Sequence, residues 1–104
     1  MMTVRKDIMI EAPFLITNNK KINDAYRLAI ATLEANILPF KDGLLTEEKP
    51  VIIAGLGYVS PWTRDAAINT WNAGGLICPE IALNTLNSVL NKDDKGYFID
   101  GEYW

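Results

Sequence analysis

Between Asn19 and Leu38 the apolar residues Ile22, Ala25, Tyr26, Ala29, Leu33 and Ile37 recur at steps of three and four. That period gathers them on one face of an α-helix, so this stretch commits the chain to a helix whose apolar stripe needs a cover. Asn18 or Asn19 can cap its start, and Pro39 with the Asp42-Gly43 pair should end it. Two more helices follow from local punctuation. Ser60 or Pro61 should open one carrying Trp62 to about Ala73, serine as cap and proline in the first turn, with Gly74-Gly75 as its stop. Pro79-Glu80 should open another, with the acid at the positive end of its dipole, Leu83, Leu86, Val89 and Leu90 as its apolar face, and Lys92 near its negative end.

Outside these helices the chain reads as arms and loops. Thr3 to Ile16 alternates only in part and is interrupted by Pro13, giving an extended arm or one to two short strands. Pro39 to Val59 reads as a loop or short extended pieces, with the apolar run Val51 to Ala54 a candidate strand. Gly55-Leu56-Gly57 lacks the third glycine and the basic residue of a phosphate loop. Asp93 to Gly96 should be a turn, and Tyr97 to Trp104 an aromatic, acidic tail. The expected fold class is therefore mainly α: about three helices over 19–104, preceded by an arm or linker over 1–18.

Composition narrows the chemistry. The 104 residues carry 49% hydrophobic side chains, enough for a packed core. A net charge of −3 offers no basic stripe for phosphates, which argues against nucleic acid. With no histidine, imidazole bases and most zinc sites are excluded; neither metal nor cofactor is expected. The lone Cys78 reads as a buried or helix-capping thiol and, without an internal partner, favours a reducing, cytoplasmic setting. No apolar run approaches the ~18 residues of a membrane helix.

The stretch from Tyr58 to Trp71 concentrates recognition chemistry: Tyr58, Trp62 and Trp71, the adjacent Arg64 and Asp65, and Asn69. A carboxylate accepts and a guanidinium donates in a rigid fork, which suits vicinal sugar hydroxyls; aromatic faces suit the C–H faces of a pyranose. The bland alternative is a structural Arg64-Asp65 ion pair at a helix start, with at least one tryptophan in the core, since nine residues at ~100° each set Trp62 and Trp71 on opposite faces.

Trp62-Thr63-Arg64-Asp65 resembles the W-T-R-D segment of the glucoamylase family, and similar segments occur in glycogen-debranching-like proteins, all toroids of six helical hairpins. The resemblance covers about Asn19 to Trp104. It implies a fragment of an (α/α)6 toroid in which Arg64 and Asp65 hold the terminal glucose, Trp62 serves as wall or support, and Tyr58 is a looser candidate. Ala66 to Trp71 departs from the glucoamylase pattern and fits the debranching-like group better.

No catalytic residue is assigned. An inverting glycosidase needs two carboxyl groups about 6.5–9.5 Å apart, and in the resembling enzymes both lie beyond Trp104. Glu47, Glu48, Asp93 and Asp94 read as solvated, Glu80 as a helix acid, and Asp100 or Glu102 as a residue that could touch sugar. The isolated chain is therefore expected to be inactive, a fragment of a glycosidase-like protein acting on α-glucan or a related oligosaccharide. The alternative is a non-catalytic helical oligomerisation module. Either way, apolar faces left bare call for a homo-oligomer or for the remainder of a toroid as partner.

Overall fold

The computed structural model describes residues 10–99. Residues 10–17 form an arm without regular structure, followed by α1 (Lys20–Ala35), β1 (Ile37–Phe40) and β2 (Lys49–Ile52). The second helix, α2, has three stretches: Thr63–Asn69, a π-helical turn Thr70–Gly74, and a last turn Gly75–Ile77. Then come α3 (Pro79–Ser88), β3 (Leu90–Asp93) and β4 (Gly96–Ile99). The strands form two antiparallel hairpins, β1-β2 and β3-β4.

The expectation of a mainly α chain, a toroid fragment, is overturned: 46% of the described residues are helical and 18% lie in strands, a mixed α/β chain. The period over Asn19 to Leu38 hid a boundary. Asn19 caps α1 through its side chain, which accepts from the Ile22 N–H, but the helix ends at Ala35, and Ile37 and Leu38 turn into β1. Ile37 kept helical phase with Leu33 only because a step of four is common to a helix face and one side of a strand.

Two prolines sit inside the β1-β2 hairpin, and its register explains why they fit. The Ile53 N–H donates to the Asn36 carbonyl at 2.8 Å. Pairs in step with that bond, Leu38↔Val51 and Phe40↔Lys49, take the hydrogen-bonded positions. Pro39↔Pro50 falls on the intervening pair, where no N–H is needed for the ladder. The outer edge of β2 is met by α3: the Ile52 N–H donates to Thr85 Oγ1 at 2.9 Å, and Asn84 Nδ2 donates to the Pro50 carbonyl at 3.1 Å. A sheet edge that would attract another strand is thus closed by two helix side chains.

Those bonds fix which way α3 faces. Ala82, Asn84, Thr85, Ser88 and Val89 are buried, whereas Leu83 is 58% exposed and Leu86 is also exposed. The expected Leu83/Leu86 face is therefore turned outward, because hydroxyls and a carboxamide were needed against the backbone of β2. Lys92 lies in β3, its ammonium 5.2 Å from the Tyr97 ring centroid in a cation–π contact, rather than at the end of α3. Asp93 to Gly96 makes the expected turn, with Asp93 Oδ1 accepting from the Lys95 N–H.

The interior has three small clusters: Ile37, Ile52 and Cys78; Leu45, Val51 and Ile53; Ala66 and Val89. They unite the first hairpin, α2 and α3. The loop between β1 and β2 passes over the end of α3, where Gly43 (φ +57) lies so near the carbonyls of Asn87, Ser88 and Leu90 that a Cβ would meet them at about 2.5 Å. In contrast, α1 has no buried residue. No helix among the described residues is long and apolar enough to cross a membrane.

Candidate functional site

The candidate residues lie on the loop that leaves β2 and on the start of α2. The loop is closed by the Ala54 N–H donating to the Ser60 carbonyl at 3.1 Å, and inside it the Tyr58 N–H donates to the Gly55 carbonyl. Pro61 is fully buried and anchors the loop's end. The helix starts later than Ser60 or Pro61: Trp62 is the capping residue, it offers no side-chain cap, and its carbonyl accepts from the Ala66 N–H at 2.8 Å. Among the described residues Trp62 alone combines a side chain with positive φ (φ 57, ψ 135), a conformation that costs a non-glycine residue about 1–3 kcal/mol. Buried Pro61 on one side and buried Ala66 on the other hold it there.

Arg64 is exposed and Asp65 half-buried. Among the described residues neither side chain takes part in an ion pair or hydrogen bond; the ion pairs present, Lys20–Asp24 and Arg27–Asp24, are on α1. The structural Arg64-Asp65 ion pair of the alternative reading is thus not formed. The expectation that one tryptophan would be core is also overturned: Trp62 is 38% and Trp71 82% exposed. The inward row of α2 is made of small residues, Ala66, Thr70 and Gly74, which let the helix lie close to its neighbours. At Gly74 a Cβ would stand 2.6 Å from Ile52 Cδ1. Gly74 and Gly75 do not stop the helix; they accommodate the wide π turn, where a side chain would meet the Asn69 and Thr70 carbonyls.

Beside this stretch lies a hollow of ≈ 240 Å³, bounded by α1, the exit of β2 and α2, with Thr32, Asn36, Gly55 and Asn69 among its lining residues. None of the lining side chains is charged. The sequence candidates Tyr58, Trp62, Arg64 and Asp65 are not among its lining residues. Tyr58 lies over Gly55, 3.7 Å from where a Cβ there would be. Asp65 stands four residues before Asn69, on the same row of α2. Arg64 begins the next row, with Ile68 and Trp71, so the guanidinium and the carboxylate leave the helix in different directions. Asn36 uses its Nδ2 to donate to the Thr32 carbonyl, while its buried Oδ1 has no partner. Asn69 belongs to the stretch the sequence singled out, whereas Asn36 was missed, since nothing local marks two asparagines 33 positions apart as lining one hollow.

Comparison with family models, with curated proteins and with solved structures finds no match. What the site can do rests on its own residues. Among the described residues no group of three or more His, Cys, Asp or Glu is placed to hold a metal ion. Cys78 is buried at the cap of α3, and burial pushes its thiol pKa up, away from nucleophilic use. Asp100 and Glu102 lie outside the described residues.

Proposed function

We propose that this chain is part of a glycoside hydrolase-like protein acting on α-glucan or a related oligosaccharide, and that it holds a share of the sugar-binding subsite without the catalytic acid and base. The observation that carries this is the unpaired state of Arg64 and Asp65 beside exposed Trp62 and Tyr58. A purely structural pair would have bonded to each other or to the fold, whereas these groups keep their hydrogen-bonding capacity for a ligand. Tyr58, Trp62, Arg64 and Asp65 offer a polyhydroxyl ligand two aromatic faces, a guanidinium and a carboxylate within one short stretch of chain. Trp62, held in a strained backbone, supplies a wall for the pyranose face. The single buried thiol suits a reducing, cytoplasmic setting.

Titration with glucose or maltose, followed by NMR, is expected to shift the Trp62 indole and the Arg64 and Asp65 amides at tens of millimolar, weak because a lone half-site makes few contacts. Arg64→Ala should remove the shifts while leaving the spectrum of the β1-β2 hairpin unchanged. Indole signals that stay still throughout the titration would sink the sugar reading.

A further inference from the structure

The two hairpins have four outer strand edges, and three of them are guarded. The edge of β2 is closed by Thr85 and Asn84. On β1 an outward position is taken by Pro39, which has no N–H to offer a further strand. On β3 the outward residues are Leu90, whose carbonyl lies against Gly43, and Lys92, whose charge discourages pairing. The fourth edge, that of β4, has no such device. Gly96, Tyr97, Phe98 and Ile99 include neither a charge nor a proline, and the last three are 66%, 46% and 52% exposed. The register decides which groups this edge presents. Asp93↔Gly96 closes a two-residue turn and is a hydrogen-bonded pair, as is Asn91↔Phe98, while Lys92↔Tyr97 and Leu90↔Ile99 fall between. The N–H and C=O groups of Tyr97 and Ile99 therefore point away from β3, and among the described residues they meet no partner.

We infer that the β4 edge is the contact between two copies of the chain, paired antiparallel about a two-fold axis at Phe98 to form one four-stranded sheet, β3-β4-β4-β3. A second copy is the occupant because this edge is complementary to itself. With Phe98 opposite Phe98 of the second copy, Tyr97 falls opposite Ile99 and Ile99 opposite Tyr97. Each outward N–H then meets a C=O, and all the outward groups of the strand are used. An axis at Tyr97 or at Ile99 would pair only one of these two residues within the strand. The side chains agree with the same register. On one face Tyr97, already under the Lys92 ammonium, gains Ile99 of the second copy as neighbour. On the other face the two Phe98 rings meet at a non-hydrogen-bonded pair, the closer kind, where aromatic pairs stabilise a sheet. With no charge in β4, no like charges are opposed along the strand. The hairpin also needs the addition: neither β3 nor β4 has a buried residue, and two strands alone are marginal in water.

The sugar site takes no part in this contact. Sedimentation equilibrium should give twice 11.6 kDa at tens of micromolar protein. In hydrogen exchange followed by NMR, the Tyr97 and Ile99 amides should slow about tenfold from dilute to concentrated protein, while those of the β1-β2 hairpin stay as they were. Phe98→Lys and Phe98→Glu each set like charges together at the axis and should raise the dissociation constant at least about tenfold. Mixing the two variants should restore a dimer, which a mere loss of folding would not allow. A monomer at high micromolar concentration, or a dimer in which the Tyr97 and Ile99 amides stay fast, would overturn the proposal. So would slow exchange of those amides at every concentration, the mark of a strand supplied by the same chain, or a dimer that both substitutions leave intact.

Discussion

At the scale of single residues, polar atoms decide the orientation of the structure more than apolar ones do. Thr85 is fully buried; its hydroxyl donates to the Ile81 carbonyl and accepts from the Ile52 N–H. Thr85→Val keeps the shape but leaves that N–H unpaired, an expected loss of about 1–3 kcal/mol in urea unfolding. Cys78 provides a second test. Its folded pKa is raised by burial, so the native state keeps its proton while the unfolded thiol releases one as pH rises. The stability held by the neutral thiol is complete below the ordinary thiol pKa and is lost as pH climbs through the raised value. Thiol-reagent labelling of the native protein should accordingly lag behind that of the urea-unfolded protein across the alkaline range. The closeness of Tyr58, Trp62, Arg64 and Asp65 along the chain is a property of the sequence, whereas their exposure and the unpaired state of Arg64 and Asp65 are properties of the structure.

At the scale of elements, capping and turn signals were read well and faces were read poorly. Asn19 as a cap, Pro79 and Glu80 at the start of α3, and the turn at Asp93 to Gly96 all follow from local chemistry, which neighbours in sequence determine. The inward face of α3 does not. Leu83, Leu86, Val89 and Leu90 read as one apolar face, but the structure splits it: Val89 is buried and Leu83 and Leu86 are exposed, because the partner of α3 is the open edge of β2, which calls for hydrogen-bonding side chains. The glycine pair in α2 was misread for a related reason. Gly74-Gly75 can end a helix or sit inside a widened one, and Ile52 packed at Gly74 decides between them. The β1-β2 hairpin was half legible: Val51 to Ala54 was a candidate strand, but only the register shows that Pro39 and Pro50 face each other at a position that needs no N–H.

At the scale of the whole molecule, the chain is elongated, 55 × 28 × 21 Å, with a radius of gyration of 14.9 Å against about 13 Å for a compact chain of this length. The well-packed part joins β1, β2, α2 and α3, while α1 stands at its side without a buried residue. A free helix of 16 residues is marginal in water, so α1 should be the first element to open. Hydrogen exchange in dilute protein should give its amides an opening free energy of about 1 kcal/mol, with β2 and α3 approaching the global value. Uniform protection in dilute solution would show instead that α1 belongs to the core.

The amino-acid order alone determined where α1 and α3 begin, where the tight turn falls, the absence of an imidazole and of an internal disulfide, and the cluster of residue types from Tyr58 to Asp65. These depend on side-chain type and on neighbours within a turn or two. Tertiary structure alone decided that Ile37 and Leu38 form a strand, that α3 offers hydroxyls rather than leucines to the sheet, that Arg64 and Asp65 stay unpaired, and that Asn36 and Asn69 line one hollow. Each of these is a choice between partners distant in sequence, and the free energy that makes the choice exists only once the chain has brought them together.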